Sequence, residues 1–412
     1  MPEITSITGR ILFNSRGTKT VEVDIITDDK FLGRVCAPSG ASVGKYEAIS
    51  FPNGKPEQSL SILNENSKKF LGCDASDVKL IHDIIKSIDD SDNYSQIGGA
   101  CAFAITIAAA DSAAKSLETS LYKMINKDDE LKFPFPLGNI LGGGAHAGPG
   151  TPDIQEVLVA SIGAKGIQEA IDTNLQVHKE LRNLIQKEDP TFTNGRGDEG
   201  GWAPKFDNEK ALEISTKAIE NLGFTLGKEV ALGVDFASST QWNENKGKYI
   251  YDRAGFENDC GQQIDFAAKI IDKYKLIYAE DAVHEEAFED MAVLTKKFPD
   301  RMITGDDLTV TNTKILNKAI QHGACNAAIL KVNQAGSLFD ALEFAKMANE
   351  NNIKLITSHR SGESTDSQIS HIGIGTKSKL LKVGIVGGER VAKLNELIRL
   401  SEHDLIHGMI DI

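Results

Sequence analysis

Cysteine is scarce here and badly placed for cross-linking. The five cysteines, Cys36, Cys73, Cys101, Cys260 and Cys325, are odd in number and far apart, with no C-x-x-C pair. That pattern excludes a disulfide framework and a cysteine zinc site, and it favours a reducing compartment. Long apolar runs are also missing. The most apolar stretch, around Ala100 to Ala110, is interrupted by Thr106 and is too short to span a bilayer. The opening Met1-Pro2-Glu3-Ile4-Thr5 has no basic segment leading into an apolar core, so no secretion signal is expected and the cytoplasm is the expected location. Basic charge is the third shortage. Lys and Arg number 45 against 59 Asp and Glu, a formal net charge of −14, and no basic run or low-complexity segment offsets it. Nucleic acid and anionic membrane both need basic surface, so neither is an expected partner. A protein this acidic that handles an anion must concentrate positive charge locally.

What is present suits a large soluble core: 41% hydrophobic and 25% charged residues over 412 positions. A (β/α)₈ barrel takes roughly 250 residues, and the remainder fits one further domain of roughly 100 to 150. The charged stretch Asn126-Lys127-Asp128-Asp129-Glu130 followed by Phe133-Pro134-Phe135-Pro136 marks the expected boundary. We therefore expect an N-terminal α+β domain over 1–128 and a β/α barrel over 129–412. In the first, residues 4 to 37 read as two or three antiparallel strands, with Thr20 to Ile25 alternating at period two. Pro38-Ser39-Gly40-Ala41-Ser42-Val43-Gly44 reads either as a plain hairpin connection or as a mobile loop whose hydroxyls and backbone reach an anion or metal. Helices follow. Leu60, Leu63, Phe70 and Leu71 share a face, with Gly72 placed to close the helix, then Leu80 to Ile88, then the Ala-rich segment Ala100 to Leu117.

The second part carries the stronger signal. Short apolar runs read as buried parallel strands, and each stops at a charged residue: Asp235, Glu280, Asp306, Lys331, His359 and Lys382. From Glu280 through Asp306, Lys331 and His359 to Lys382 the steps are 26, 25, 28 and 23 residues. About 25 residues is one strand plus one helix, so each βα unit delivers one charged group to the same rim. Further upstream, Glu156 sits in an apolar strand, where a carboxylate needs a partner or a raised pKa. His146 and Glu199 lie in two glycine-rich loops.

Asp235, Glu280 and Asp306 offer hard oxygen ligands from separate strands, which suits Mg²⁺. An Asp before a helix can instead cap it, but capping does not account for Lys331, His359, Arg360 and Lys382 at the next three strand ends. A lysine beside metal ions and a second lysine has reason to lose its proton near neutral pH. Such a base can take a proton α to a carboxylate, and a carboxylic acid opposite it can protonate a departing hydroxide. The reaction class is metal-assisted loss of water from a phosphorylated hydroxy acid.

Ser15-Arg16-Gly17, Ser39-Gly40-Ala41-Ser42, Gly197-Asp198-Glu199-Gly200-Gly201, Gly305-Asp306-Asp307-Leu308-Thr309, Leu330-Lys331-Val332-Asn333-Gln334 and Ser358-His359-Arg360-Ser361-Gly362-Glu363 occur in order. Together they make the chain resemble the enolase family over nearly its whole length. A Lys or His base working with one or two Mg²⁺ ions is already the known pattern of enolase-superfamily sites, and residue spacing alone does not establish it. The resemblance implies a modified barrel whose opening breaks strict βα alternation, and reversible dehydration of 2-phosphoglycerate to phosphoenolpyruvate. It implies two Mg²⁺ ions, the first on Asp235, Glu280 and Asp306 and the second helped by Ser39. It makes Lys331 the C2 base and Glu199 the acid, with Glu156 in support. Arg360 and Ser361 would hold the phosphate, and Lys382, Gln155, His146 and His359 would complete the pocket. A homodimer or an octamer is the implied assembly. Val383 after Lys382 and Ala282 after Glu280-Asp281 depart from the family pattern and touch efficiency rather than reaction class. The other class of function in view is an enolase-like scaffold acting mainly as a binding protein, at a cell surface or in a larger assembly.

Overall fold

The computed structural model describes residues 1–41, 44–402 and 406–412. The chain opens with three antiparallel strands, β1 (Ile4–Phe13), β2 (Lys19–Thr27) and β3 (Phe31–Cys36), with β2 in the middle. The period-two pattern of β2 explains its place. Val21, Val23 and Ile25 turn into the core, while Glu22 and Asp24 on the other face hold Arg10 and Arg34.

Helices α1 (Pro56–Asn66), α2 (Val78–Lys86) and α3 (Gly99–Ser116) cover the inner face. The alanines of α3 let it lie very close to the sheet. A Cβ added to Gly33 of β3 would meet the Ala108 carbonyl oxygen of α3 at 1.9 Å. Gly33→Ala must therefore push helix and sheet apart, and we expect a loss of about 1–3 kcal/mol or more. Urea unfolding should show a lower midpoint at unchanged slope; an unchanged midpoint would contradict this packing.

One expectation fails in this region. Leu63 and Phe70 are buried, but Leu71 is 46% exposed. The helix ends at Asn66 and a 3₁₀ turn, Ser67–Lys69, carries the chain away, so Leu71 leaves the apolar face. Gly72, at φ +78°, does not close α1; its N–H donates to the Ile4 carbonyl beside β1.

Eight further strands close into a barrel: β4 (Phe135–Gly142), β5 (Glu156–Ala160), β6 (Ala231–Asp235), β7 (Tyr278–Glu280), β8 (Met302–Gly305), β9 (Ala327–Leu330), β10 (Lys354–Ser358) and β11 (Leu380–Lys382). β5 runs antiparallel to both neighbours, and two helices, Ile167–Glu188 and Asn208–Asn221, separate it from β6. From β6 onward the neighbouring strands are parallel, and β11 closes the barrel on β4 in the same sense. Leu137, Leu158, Tyr278, Met302, Ile329 and Leu380 belong to one apolar cluster formed by the barrel strands. The charged residues gather at the C-terminal strand ends, the usual place for a barrel's chemistry. No helix among the described residues is long and apolar enough to cross a membrane.

Candidate active site

β6, β7 and β11 end on Asp235, Glu280 and Lys382, while Asp306, Lys331 and His359 are the first residues beyond β8, β9 and β10. Glu156 reaches the same rim from the start of β5, because that strand runs the other way. Register places Glu156 opposite Asp235 and Asp235 opposite Glu280, so three carboxylates form a row across adjacent strands. One cleft is lined by His146, Gln155, Glu156, Glu199, Asp235, Asp306, Lys331, His359, Arg360, Ser361 and Lys382. Glu280 meets it through Lys382.

Lys382 joins the two halves of the cleft. Its Nζ lies 2.5 Å from Glu280 Oε2, 3.2 Å from Asp235 Oδ2 and 3.3 Å from Glu156 Oε2. Burial disfavours its charge, but these carboxylates outweigh burial and hold the ammonium well above its usual pKa. Burial and then Asp235 push Glu280 well up. Glu280 Oε1 is buried with no hydrogen-bond partner among the described residues. Glu280, Asp281 and Asp306 each offer an oxygen within 4.8 Å of the others. Asp281 is already committed, accepting the backbone N–H groups of Asp306 (3.1 Å) and Asp307 (2.8 Å). A buried carboxylate oxygen without a donor, inside an all-oxygen cluster, fits a hard divalent cation.

Lys331 is held charged by its direct partner. Burial, Arg360 and Lys382 all disfavour its charge, yet the directly paired Asp306 outweighs them and its pKa is raised. Asp306 also accepts from Gln334 Nε2 at 3.0 Å and, despite burial, is held low chiefly by Lys331. The expected loss of proton affinity therefore requires something other than Lys331 to compensate Asp306.

The opposite side is a carboxylate–imidazole chain. His146 Nδ1 lies 3.2 Å from Glu156 Oε1 and 3.8 Å from Glu199 Oε1. Burial disfavours its cation, but Glu199 and Glu156 outweigh burial and push the imidazole up to about 9. Burial and the Glu199 charge raise Glu156. Glu199 is held low, against burial, first by its contact with the His359 imidazole and then by the His146 charge. Burial and Arg390 push His359 down to about 4, although Glu199 opposes them. At neutral pH His359 is thus uncharged, and of the two imidazoles His146 carries the charge that holds Glu199 low.

Arg360 presents its guanidinium to Glu47, with NH1 to Oε2 at 2.9 Å and NH2 to Oε1 at 3.3 Å. The buried Ser361 hydroxyl has no hydrogen-bond partner among the described residues, an arrangement suited to an incoming anion. Ser39 lies differently. Its backbone pairs with Gly362, its hydroxyl accepts from Asn14 Nδ2 at 2.7 Å, and Gly40 and Ala41 rather than Ser39 line the cleft. A metal role for Ser39 would require that hydroxyl to leave Asn14. Ser42 and Val43 of the same loop lie outside the described residues.

Sequence reasoning missed Glu47, Gln334 and Arg390. Glu47 meets Arg360 across 313 positions, which no local pattern reveals. Gln334 stands in the Lys331 motif, where the lysine draws the attention and the amide looks incidental. Arg390 lies on the helix Gly388–Leu400 and reads as a surface charge, yet it is fully buried. The acidic doublets Glu280-Asp281 and Asp306-Asp307 offer a further signal, because the second member of each lines the cleft.

Comparison with known proteins agrees with this architecture. Residues 4–125 match the family model for the enolase N-terminal domain and residues 130–408 that for the enolase C-terminal TIM barrel domain. The chain is 46% identical over 405 residues to the enolase of Methanosphaera stadtmanae, covering 98% of each. It is 44% identical over 411 residues to that of Methanothermobacter thermautotrophicus, covering 99% of each. With the enolase of Halobacterium salinarum it shares 37% over 406 residues, 98% of this chain and 100% of the relative. The chain belongs to the enolase family, and with it to the lyases of the phosphopyruvate hydratase type.

Proposed function

We propose that the chain catalyses the reversible, Mg²⁺-dependent dehydration of 2-phospho-D-glycerate to phosphoenolpyruvate, with Lys331 as base and Glu199 as acid. The observation that carries this reading is a single cleft with Lys331 and Lys382 among one set of carboxylates and Glu156 and Glu199 around His146. Arg360 and Ser361 take the phosphate. The Ser361 hydroxyl gains the acceptor it lacks, and Arg360 supplies donors beside Glu47. Asp235, Glu280 and Asp306 would hold Mg²⁺, one of two ions expected per site. Bound divalent cations would supply positive charge for the doubly charged carboxylate that forms when C2 loses its proton. Lys331 removes that proton. Lys382 stays charged among its three carboxylates and keeps them fixed. Glu199 delivers a proton to the leaving hydroxyl; because Glu199 itself is held low, that proton reaches it from Glu156 or His146, whose proton affinities are raised. Gln155 and His359 orient the substrate and the acid.

The family boundary fits a division at 128/129, a homodimer or octamer is the assembly we propose, and the cytoplasm is the proposed location. The experiment is direct. Protein stripped of metal by a chelator should not turn over 2-phosphoglycerate; added Mg²⁺ should restore the rise in ultraviolet absorbance as phosphoenolpyruvate forms. The unphosphorylated hydroxy acid should give none. No turnover in either direction with Mg²⁺ would overturn the proposal.

A further inference from the structure

Arg390 is a fully buried cation with no part in the chemistry above. Its guanidinium ties together segments far apart in the chain. NH1 donates to His359 Nδ1 at 2.7 Å and to the Arg360 carbonyl at 2.7 Å. NH2 donates to the Asp198 carbonyl at 3.0 Å and the Ser361 carbonyl at 2.6 Å. The surrounding turn is shaped for it: a Cβ on Gly384 would come within 2.8 Å of Arg390 Cγ and Cδ and 2.4 Å of the Glu199 carbonyl.

The contact with His359 decides a chemical state. A guanidinium has donors only, so His359 Nδ1 must be the acceptor. The Gly384 N–H points at the same nitrogen from 3.3 Å. With Nδ1 facing two donors, one of them charged, the ring has no room for a proton there. A neutral imidazole then carries its single proton on Nε2, and that atom lies 3.2 Å from Glu199 Oε2. The alignment falls short of a formed hydrogen bond, and Nε2 has no hydrogen-bond partner among the described residues. The distance nonetheless leaves Glu199 as the group the N–H faces.

We propose that Arg390 is a positioning residue that locks His359 as the neutral Nε2–H tautomer facing Glu199, while holding the Glu199 segment against the Arg360–Ser361 segment. The proposal rests on Glu199 being the acid. Its partners explain why an arginine is needed. A lysine offers one nitrogen, whereas the planar fork reaches three carbonyls and one imidazole at once. Loss of the fork frees the ring to carry its proton on either nitrogen, and an Nδ1–H ring turns a lone pair rather than a donor toward the acid.

The test uses the full chain labelled with ¹⁵N at histidine. Long-range ¹H–¹⁵N correlation spectra report the tautomer of each ring, and His359→Gln identifies the signal. At pH 7 the unaltered protein should show His359 neutral with its proton on Nε2. Arg390→Met should introduce the Nδ1–H form or an imidazolium. It should lower kcat about tenfold to a hundredfold while KM moves by less than about threefold. Arg390→Lys, which keeps one charged donor, should restore the Nε2–H form and part of the rate. An Nδ1–H or charged His359 in the unaltered protein overturns the proposal, as does an unchanged tautomer in folded Arg390→Met. Should Arg390→Met fail to fold, the unaltered protein and Arg390→Lys still decide. The tautomer is read without substrate, so absence of turnover would sink the proposed reaction and leave this inference standing or falling on its own spectrum.

Discussion

Lys331→Ala is expected to lower the dehydration rate by roughly 10⁴-fold, the upper range for loss of a positioned general base. It should also abolish exchange of the C2 hydrogen of 2-phosphoglycerate with solvent. Lys331 sits just beyond β9, against Asp306, at the rim where the carboxylate row and Lys382 meet. Its present pairing with Asp306 raises its proton affinity against burial, Arg360 and Lys382. The base role therefore depends on Asp306 being compensated by another positive charge. That dependence makes a second outcome checkable. Asp306→Asn removes the partner that keeps Lys331 protonated, yet it also removes a proposed metal ligand. C2 exchange should fall in this variant too, although Lys331 itself is intact. Rapid exchange in Asp306→Asn would show that the lysine needs no such arrangement. Unfolding midpoints of both variants separate these losses from instability.

Glu199→Gln is the second large effect, and it should act on a different step. We expect dehydration to fall by roughly 10³-fold, within the range for a lost general acid, while C2 exchange continues. The amide keeps the size of the side chain and can still accept from Asn139, which lies 3.4 Å from Glu199 Oε2. It cannot deliver a proton to the leaving hydroxyl. It also removes the charge that, together with Glu156, pushes the buried His146 up to about 9. His146 should then titrate at lower pH in the variant, visible in its ¹⁵N spectrum. An unmoved His146 would mean that the imidazole answers to Glu156 alone.

The barrel was legible because its βα units each end an apolar run with a polar residue. The steps between Glu280, Asp306, Lys331, His359 and Lys382 are the footprint of that repeat. Strand direction was not legible from the repeat. Ile154 to Val159 reads the same whether β5 runs with or against its neighbours; the βα rhythm is irregular at its start, but nothing in the run marks the direction of the strand. Burial at helix ends was also lost, as Leu71 shows: one 3₁₀ turn moves a residue off a face that periodicity assigns it to. Identity of the rim residues was read from sequence; their charge states were not. A sequence carries no distances, so the compensation of Lys331 by Asp306 and the engagement of Ser39 by Asn14 emerge only in three dimensions. Long-range partners fail for the same reason, Glu47 for Arg360 and Arg390 for His359 being the clearest cases.

In the proposed reaction, proton removal at C2 and protonation of the leaving hydroxyl belong to different residues of one cleft. The measurement that tests this division most directly follows both steps in the same tube. 2-Phosphoglycerate is incubated in D₂O with Mg²⁺ and either variant, and deuterium at C2 is read by NMR alongside phosphoenolpyruvate. No deuterium and no product are expected with Lys331→Ala, and deuterium without appreciable product with Glu199→Gln. Deuterium incorporation by Lys331→Ala at the rate of the unaltered protein, or its loss in folded Glu199→Gln, would contradict that division.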